Sequence, residues 1–135
     1  MSLGTFLFTI SPRAQDQKAG PKLTLRAIMV ELGAEYLQLS SSLLIDDFSG
    51  LERSAKTIQG HPLPAEIVAA IKAKLGKNFR GFERIDEQSH QAAADLAQRA
   101  MRKDITASAR AYERLTEGCI SCHKQFRATL RSLSD

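Results

Sequence analysis

Apolar positions along this chain recur every three or four residues, the interval at which an α-helix returns side chains to one face. Leu23, Leu25, Ile28, Met29, Leu32, Tyr36, Leu39, Leu43 and Leu44 form one such stripe, which predicts a first helix over about residues 22–45. Asp46 and Asp47 supply acceptors for the start of a second helix through Phe48, Leu51, Ala55 and Ile58, and Gly60 with the following "HPLP" ends it. A loop covers residues 60–64. Pro64 suits the first position of a run through Ile67, Val68, Ile71 and Leu75, which Gly76 ends or bends. The stripe resumes at Phe79, Phe82, Asp86, His90, Ala93, Leu96, Ala97 and Ala100, a third long helix reaching about Met101. After "RKD", Asp104 can cap the last helix. Its stripe is the most regular of all: Ile105, Ser108, Tyr112, Leu115, Cys119, Cys122, Phe126 and Leu130, at steps of 3, 4, 3, 4, 3, 4 and 4.

Amphipathic helices joined by short polar connections, with no useful stretch of alternating period, predict an all-α fold: an antiparallel four-helix bundle running up-down-up-down. Composition agrees, since 135 residues with 43% apolar content can bury the core of one domain without cross-links. The bundle is assigned to residues 21–135, with no internal repeat and no low-complexity tract. Residues 1–20 stand outside it. Their apolar stretch, Leu3 to Ile10, is too short to cross a bilayer. "SPRAQDQ", with a small-residue site ending at Ala14, suits the tail of a secretory signal, and just as well an unstructured arm behind an added "MSL". The net charge of +4 comes from 19 basic and 15 acidic residues interspersed along the chain. No basic helix with interleaved aromatics is present, which argues against nucleic acid, and the mild cationic surface suits an acidic protein partner.

The only two cysteines, Cys119 and Cys122, stand in "CISCHKQFR" with His123 directly after them. On a helix they project as neighbours from adjacent turns, with His123 at the edge of their face. Two thiols that can form thioethers to the vinyl groups of a haem, beside an imidazole that can ligate its iron, is the chemistry C-x-x-C-H carries. Three other readings compete. A redox-active dithiol belongs at a helix start, where the dipole lowers a thiol pKa. A structural zinc site wants four protein ligands, and beyond this pair the chain offers only His61, His90 and His123. A plain pair of buried thiols leaves His123 without a role. No catalytic triad, phosphate loop or paired-carboxylate site appears, so the chain does not read as an enzyme.

Over about residues 22–132 the sequence resembles the class II c-type cytochromes, meaning cytochrome c′ and its low-spin, methionine-ligated relatives. "CISCHKQFR" matches that plan at Cys119, Cys122, His123, Phe126 and Arg127, while "HPLP" and "FERIDEQSHQAAADLA" resemble the methionine-ligated branch. The resemblance implies one covalent haem c per chain, attached at Cys119 and Cys122, with His123 as proximal iron ligand. Arg127, one turn on, would lie near the propionates or the proximal side. In "MVELGAEYLQL", Met29 occupies the place of the distal ligand, and its soft thioether would raise the potential and favour low-spin iron. The implied function is one-electron transfer to a redox partner in the periplasm after export, with a homodimer through the first two helices, as relatives often form. If Met29 is only core filler, then Leu25, Ile28 or Leu32 covers an open iron face, and the implied function is binding of nitric oxide or carbon monoxide. High-spin members commonly carry an Arg one turn before the distal residue. Here that place is Leu25, with Arg26 one step off, which favours the methionine branch. Asp86 and His90 would line the pocket as a hydrogen-bonded pair, with His90 an alternative axial ligand. His61, beside Pro62, reads as solvent-facing. Tyr36, Phe79, Phe82 and Tyr112 read as core or pocket-wall aromatics, and a haem-free sensor or interaction module is the remaining alternative.

Overall fold

The computed structural model describes residues 23–133. Five α-helices follow one another: α1 (Leu25–Leu44), α2 (Phe48–Gln59), α3 (Ala65–Leu75), α4 (Phe79–Met101) and α5 (Ile105–Leu130), with single 3-10 turns at Gly76–Asn78 and Arg131–Leu133. The four longest, α1, α2, α4 and α5, form the predicted antiparallel bundle. α4 lies along both α2 and α5, α1 lies along α2, and the ring closes most sparsely between α1 and α5. No helix among the described residues is long and apolar enough to cross a membrane. Residues 1–20, read as a signal remnant or an arm, lie outside the described residues.

Side-chain caps set where the helices begin. The hydroxyl of Thr24 accepts from the Ala27 N–H at 3.2 Å, Asp47 from Gly50 at 2.9 Å and Asp104 from Ala107 at 2.9 Å. Each satisfies one of the amides that the first turn leaves unpaired. Asp46 and Lys103, both at φ 55°, turn the chain between α1 and α2 and between α4 and α5. Gly76, at φ 51°, settles the choice between an end and a bend. This left-handed conformation suits a residue without a Cβ and cannot continue a helix. The expected third helix is therefore two, and α3 packs as a short cross-piece against α5 and α4.

The core divides into two clusters. The first gathers Leu39, Leu51, Ala55, Ile58, Ala92, Ala93, Leu96, Ala97, Ala100, Ala111 and Leu115. The second gathers Leu25, Ile28, Ile67, Ile71, Leu75, Phe79, Phe82, Ile85, Phe126 and Leu130, with α3 supplying Ile67, Ile71 and Leu75. α1 buries a narrower face than its stripe suggested. Leu25, Ile28, Leu39 and Ser42 go inward, whereas Met29 and Leu44 are 39% and 85% exposed. Gly118 matters one residue before the cysteines: a Cβ there would collide with Ser89 Oγ, so its absence lets α4 and α5 approach closely.

Candidate functional site

Cys119 and Cys122 are free thiols, half-buried on α5. Cys119 packs against the first core cluster and Cys122 against the second, so the pair straddles the seam between them. Burial pushes the Cys119 thiol up, only partly opposed by a backbone hydrogen bond. Burial, followed by the nearby Asp86 carboxylate and the neighbouring Cys119 as it ionises, pushes Cys122 up to about 11. Both therefore stay protonated at neutral pH, the opposite of what an attacking dithiol needs. Among the described residues the one cluster of metal-ready side chains contains neither cysteine. The redox-dithiol and cysteine-zinc readings lose their physical basis; thioether attachment and inert thiols remain.

His123 is exposed beside them, one turn before Arg127. Partial burial, then the Arg127 charge, holds its pKa below the ordinary histidine value. Arg127 Nη2 donates to His123 Nδ1 at 2.7 Å. A guanidinium only donates, so the neutral ring must carry its proton on Nε2. Ligation of iron through Nε2 needs the reverse tautomer. A neutral His123 cannot accept from Arg127 at Nδ1 and offer a lone pair at Nε2 at once, so ligation there requires Arg127 to let go.

The position of Met29 follows from the helix register. Tyr36 Oη and Thr116 Oγ1 are 2.6 Å apart, Ser40 Oγ and Tyr112 Oη are 2.5 Å apart, and the Tyr36 and Tyr112 rings stack at 5.2 Å. These contacts pin α1 antiparallel to α5. Seven residues back from Tyr36 is Met29, and seven on from Thr116 is His123. Equal rise per residue in the two helices brings Met29 and His123 to the same level, across the sparsest seam of the bundle. Ile28 is buried there and Leu32 partly buried, while Met29 lies at the surface edge.

These residues suit a haem by their donor chemistry: two protonated thiols, an imidazole whose Nε2 makes no protein hydrogen bond among the described residues, and a thioether at matching height. The neighbouring second cluster is aromatic and incompletely sealed. Phe79 and Phe82 stack at 6.1 Å, and Phe126 meets Phe82 edge-on at 5.8 Å. A separate cleft lies between α4 and α5 beside Gln88, Asp95 and Arg114.

A family model described as Cytochrome C′ matches residues 50–127, a span holding Cys119, Cys122, His123 and Arg127. The chain belongs to the cytochrome c′ family. Membership makes it a haem-binding cytochrome of a family whose members are typically carriers rather than enzymes. No curated protein and no solved structure matched it. The matched span of this cytochrome c′ chain starts within α2, so α1 and Met29 fall outside it, and the match does not select the methionine-ligated branch.

One group of residues in this cytochrome was only half legible. His61 does not simply face solvent: its ring lies 4.7 Å from that of His90, centroid to centroid, and its Nδ1 is 2.8 Å from the Ile58 carbonyl oxygen. His90 Nε2 lies 3.7 Å from Asp86 Oδ2, an ion-pair contact rather than the expected hydrogen bond. The Asp86 carboxylate beside it raises the His90 pKa against the opposing effect of burial, with help from the Gln59 carbonyl. Asp86 and His90 showed their pairing by spacing. His61 joins them through the packing of α2 on α4, which local pattern does not encode.

Proposed function

We propose that this cytochrome carries one haem c bonded through Cys119 and Cys122, with His123 and Met29 as the residues that hold the iron, and that it works as a one-electron carrier. The observation that carries this reading is the α1–α5 register, which brings Met29 level with His123 beside the two thiols. The haem supplies the one-electron chemistry. The chain's own share is to hold it at the loosely sealed end of the core, to supply a soft sulfur on one side, and to orient the imidazole on the other. Once Arg127 gives up Nδ1, its guanidinium is free to meet a haem propionate. Thioether attachment to the two cysteines implies export, hence the periplasm, and the net charge of +4 suits an acidic redox partner. The homodimer has one physical support: Val30, Leu37 and Leu44, seven residues apart on the outer face of α1, are all exposed.

A second reading has its own observation. On α1 it is Ile28, not Met29, that is buried next to the motif. An apolar residue over one iron face would leave five-coordinate iron able to take nitric oxide or carbon monoxide. Spectra of the haem-loaded protein and of Met29→Ala decide between the two. The carrier reading expects a low-spin reduced spectrum indifferent to carbon monoxide in the parent, converted to a high-spin, carbon monoxide-binding form in the variant. A parent that already binds carbon monoxide sinks it, and a purified exported chain without added haem mass sinks both.

A further inference from the structure

On the α2–α4 side of the bundle, three side chains converge that no step of the haem chemistry uses as ligands. His61 comes from the loop after α2, while Asp86 and His90 stand one turn apart on α4. All three are partly buried, and one ligand atom from each lies within 4.8 Å of the others. The tautomers are fixed by what the rings touch. His61 Nδ1 is 2.8 Å from the Ile58 carbonyl oxygen, and His90 Nδ1 is 2.6 Å from that of Gln59. A carbonyl only accepts, so both Nδ1 atoms carry the proton and, in the neutral rings that a metal would take, both Nε2 atoms present a lone pair. This is the arrangement of metal-bound imidazoles, each steered by a backbone carbonyl behind it. Asp86 Oδ2, 3.7 Å from His90 Nε2, adds a carboxylate to the same space.

We propose that His61, Asp86 and His90 bind one divalent first-row transition ion of the zinc type, through two Nε2 atoms and a carboxylate oxygen, with water completing the shell. Two nitrogens and one oxygen are a poor match for calcium or magnesium, which take oxygen, and for copper(I), which prefers sulfur. Zinc–ligand bonds of about 2.0–2.1 Å place tetrahedral donors about 3.3 Å apart. The trio already lies within 4.8 Å, close to that spacing before any metal is bound. Three protein ligands leave at least one open position. The bound ion would tie the loop after α2 to α4, adding to the packing of Leu63 and the His90–Gln59 hydrogen bond. None of the three residues is an iron ligand in the carrier reading, so the two sites stand or fall separately.

The test is calorimetric titration of the tag-free, haem-loaded protein with zinc(II) near neutral pH, with metal content measured after dialysis. One zinc per chain is expected, with an unchanged haem spectrum. His61→Ala and His90→Ala should each weaken binding by about 10-fold or more, the scale on which even supporting residues act at metal sites. Zinc K-edge absorption of the loaded parent should show two imidazoles, a readout that does not depend on how the variants fold. Absence of saturable uptake overturns the proposal. So does uptake undiminished in a double His61→Ala, His90→Ala variant that keeps the parent's haem content and circular dichroism, or a zinc-induced change in the haem spectrum, which would point to His123 instead.

Discussion

At one end of the bundle seven of eleven core residues have no exposed surface at all, whereas at the other only Ile71 of ten is wholly buried. The same helices, α4 and α5, run through both ends, so the difference lies in what they carry. The closed end is built from Leu, Ile and six alanines, small enough for the helices to approach and exclude water. The open end is built from Leu, Ile and three phenylalanines, roofed by α3, and it is the end against which Cys122 packs. Large side chains there still leave a few per cent of each surface showing. A bundle that seals itself at one end and stays short of closure at the other has its cofactor end marked by packing as well as by motif.

The largest expected effect that tests this contrast is a pair of truncations on one helix. Leu96 is wholly buried in the closed end, and Ile85 is 6% exposed in the open end. In the haem-free chain, Leu96→Ala should cost ~4 kcal/mol and Ile85→Ala ~2 kcal/mol, because a site that is already loose collapses around the missing atoms. Urea unfolding gives both numbers. Equal costs would break the contrast, and so would a haem-free parent with no cooperative transition, which would mean that the closed end does not stand alone.

Much of this was legible in the sequence because it was local. Helix starts at Asp47 and Asp104 follow from side-chain acceptors placed just before apolar stripes, and the cofactor motif sits within five consecutive residues. Gly76 could be read as an interruption but not as an end, since only the backbone's φ of 51° decides that. Periodicity placed Met29 and Leu44 on the inward stripe of α1, yet both are exposed, because the width of a buried face depends on how near the neighbouring helices come. Three features stayed hidden: the Arg127 hold on His123, the level match of Met29 with His123, and the approach of His61 to His90. Each depends on side-chain direction or on register between helices.

A smaller effect sharpens the contrast through pH. The Cys122 thiol is raised from about 9.0 to about 11 in the folded chain, chiefly by burial. The folded state thus holds this proton more tightly than the unfolded one, so the stability it brings is whole below the unfolded pKa and is lost as pH rises from about 9 towards 11. The haem-free chain should weaken over that window. The haem-loaded chain should not through this group, since a thioether has no such proton, and Cys122→Ala should remove the extra slope from the haem-free chain. Cys119, whose thiol burial also raises, keeps part of the slope in the variant, but a slope as steep as the parent's would show that the open end admits water freely around Cys122.

The smallest effect belongs to the closed end. Ser108, on α5, is wholly buried, and its hydroxyl finds no partner among the described residues. An unpaired buried hydroxyl forfeits its hydration without compensation, so Ser108→Ala should stabilise the protein by ~1 kcal/mol rather than weaken it. About half of that would come from alanine's better helix propensity, and the rest is the cost of burying the hydroxyl. If Ser108→Ala is destabilising, the hydroxyl has a partner in solution, and a buried water is the natural one. The end of the bundle that looks sealed would then hold water, and dryness would no longer separate it from the cofactor end.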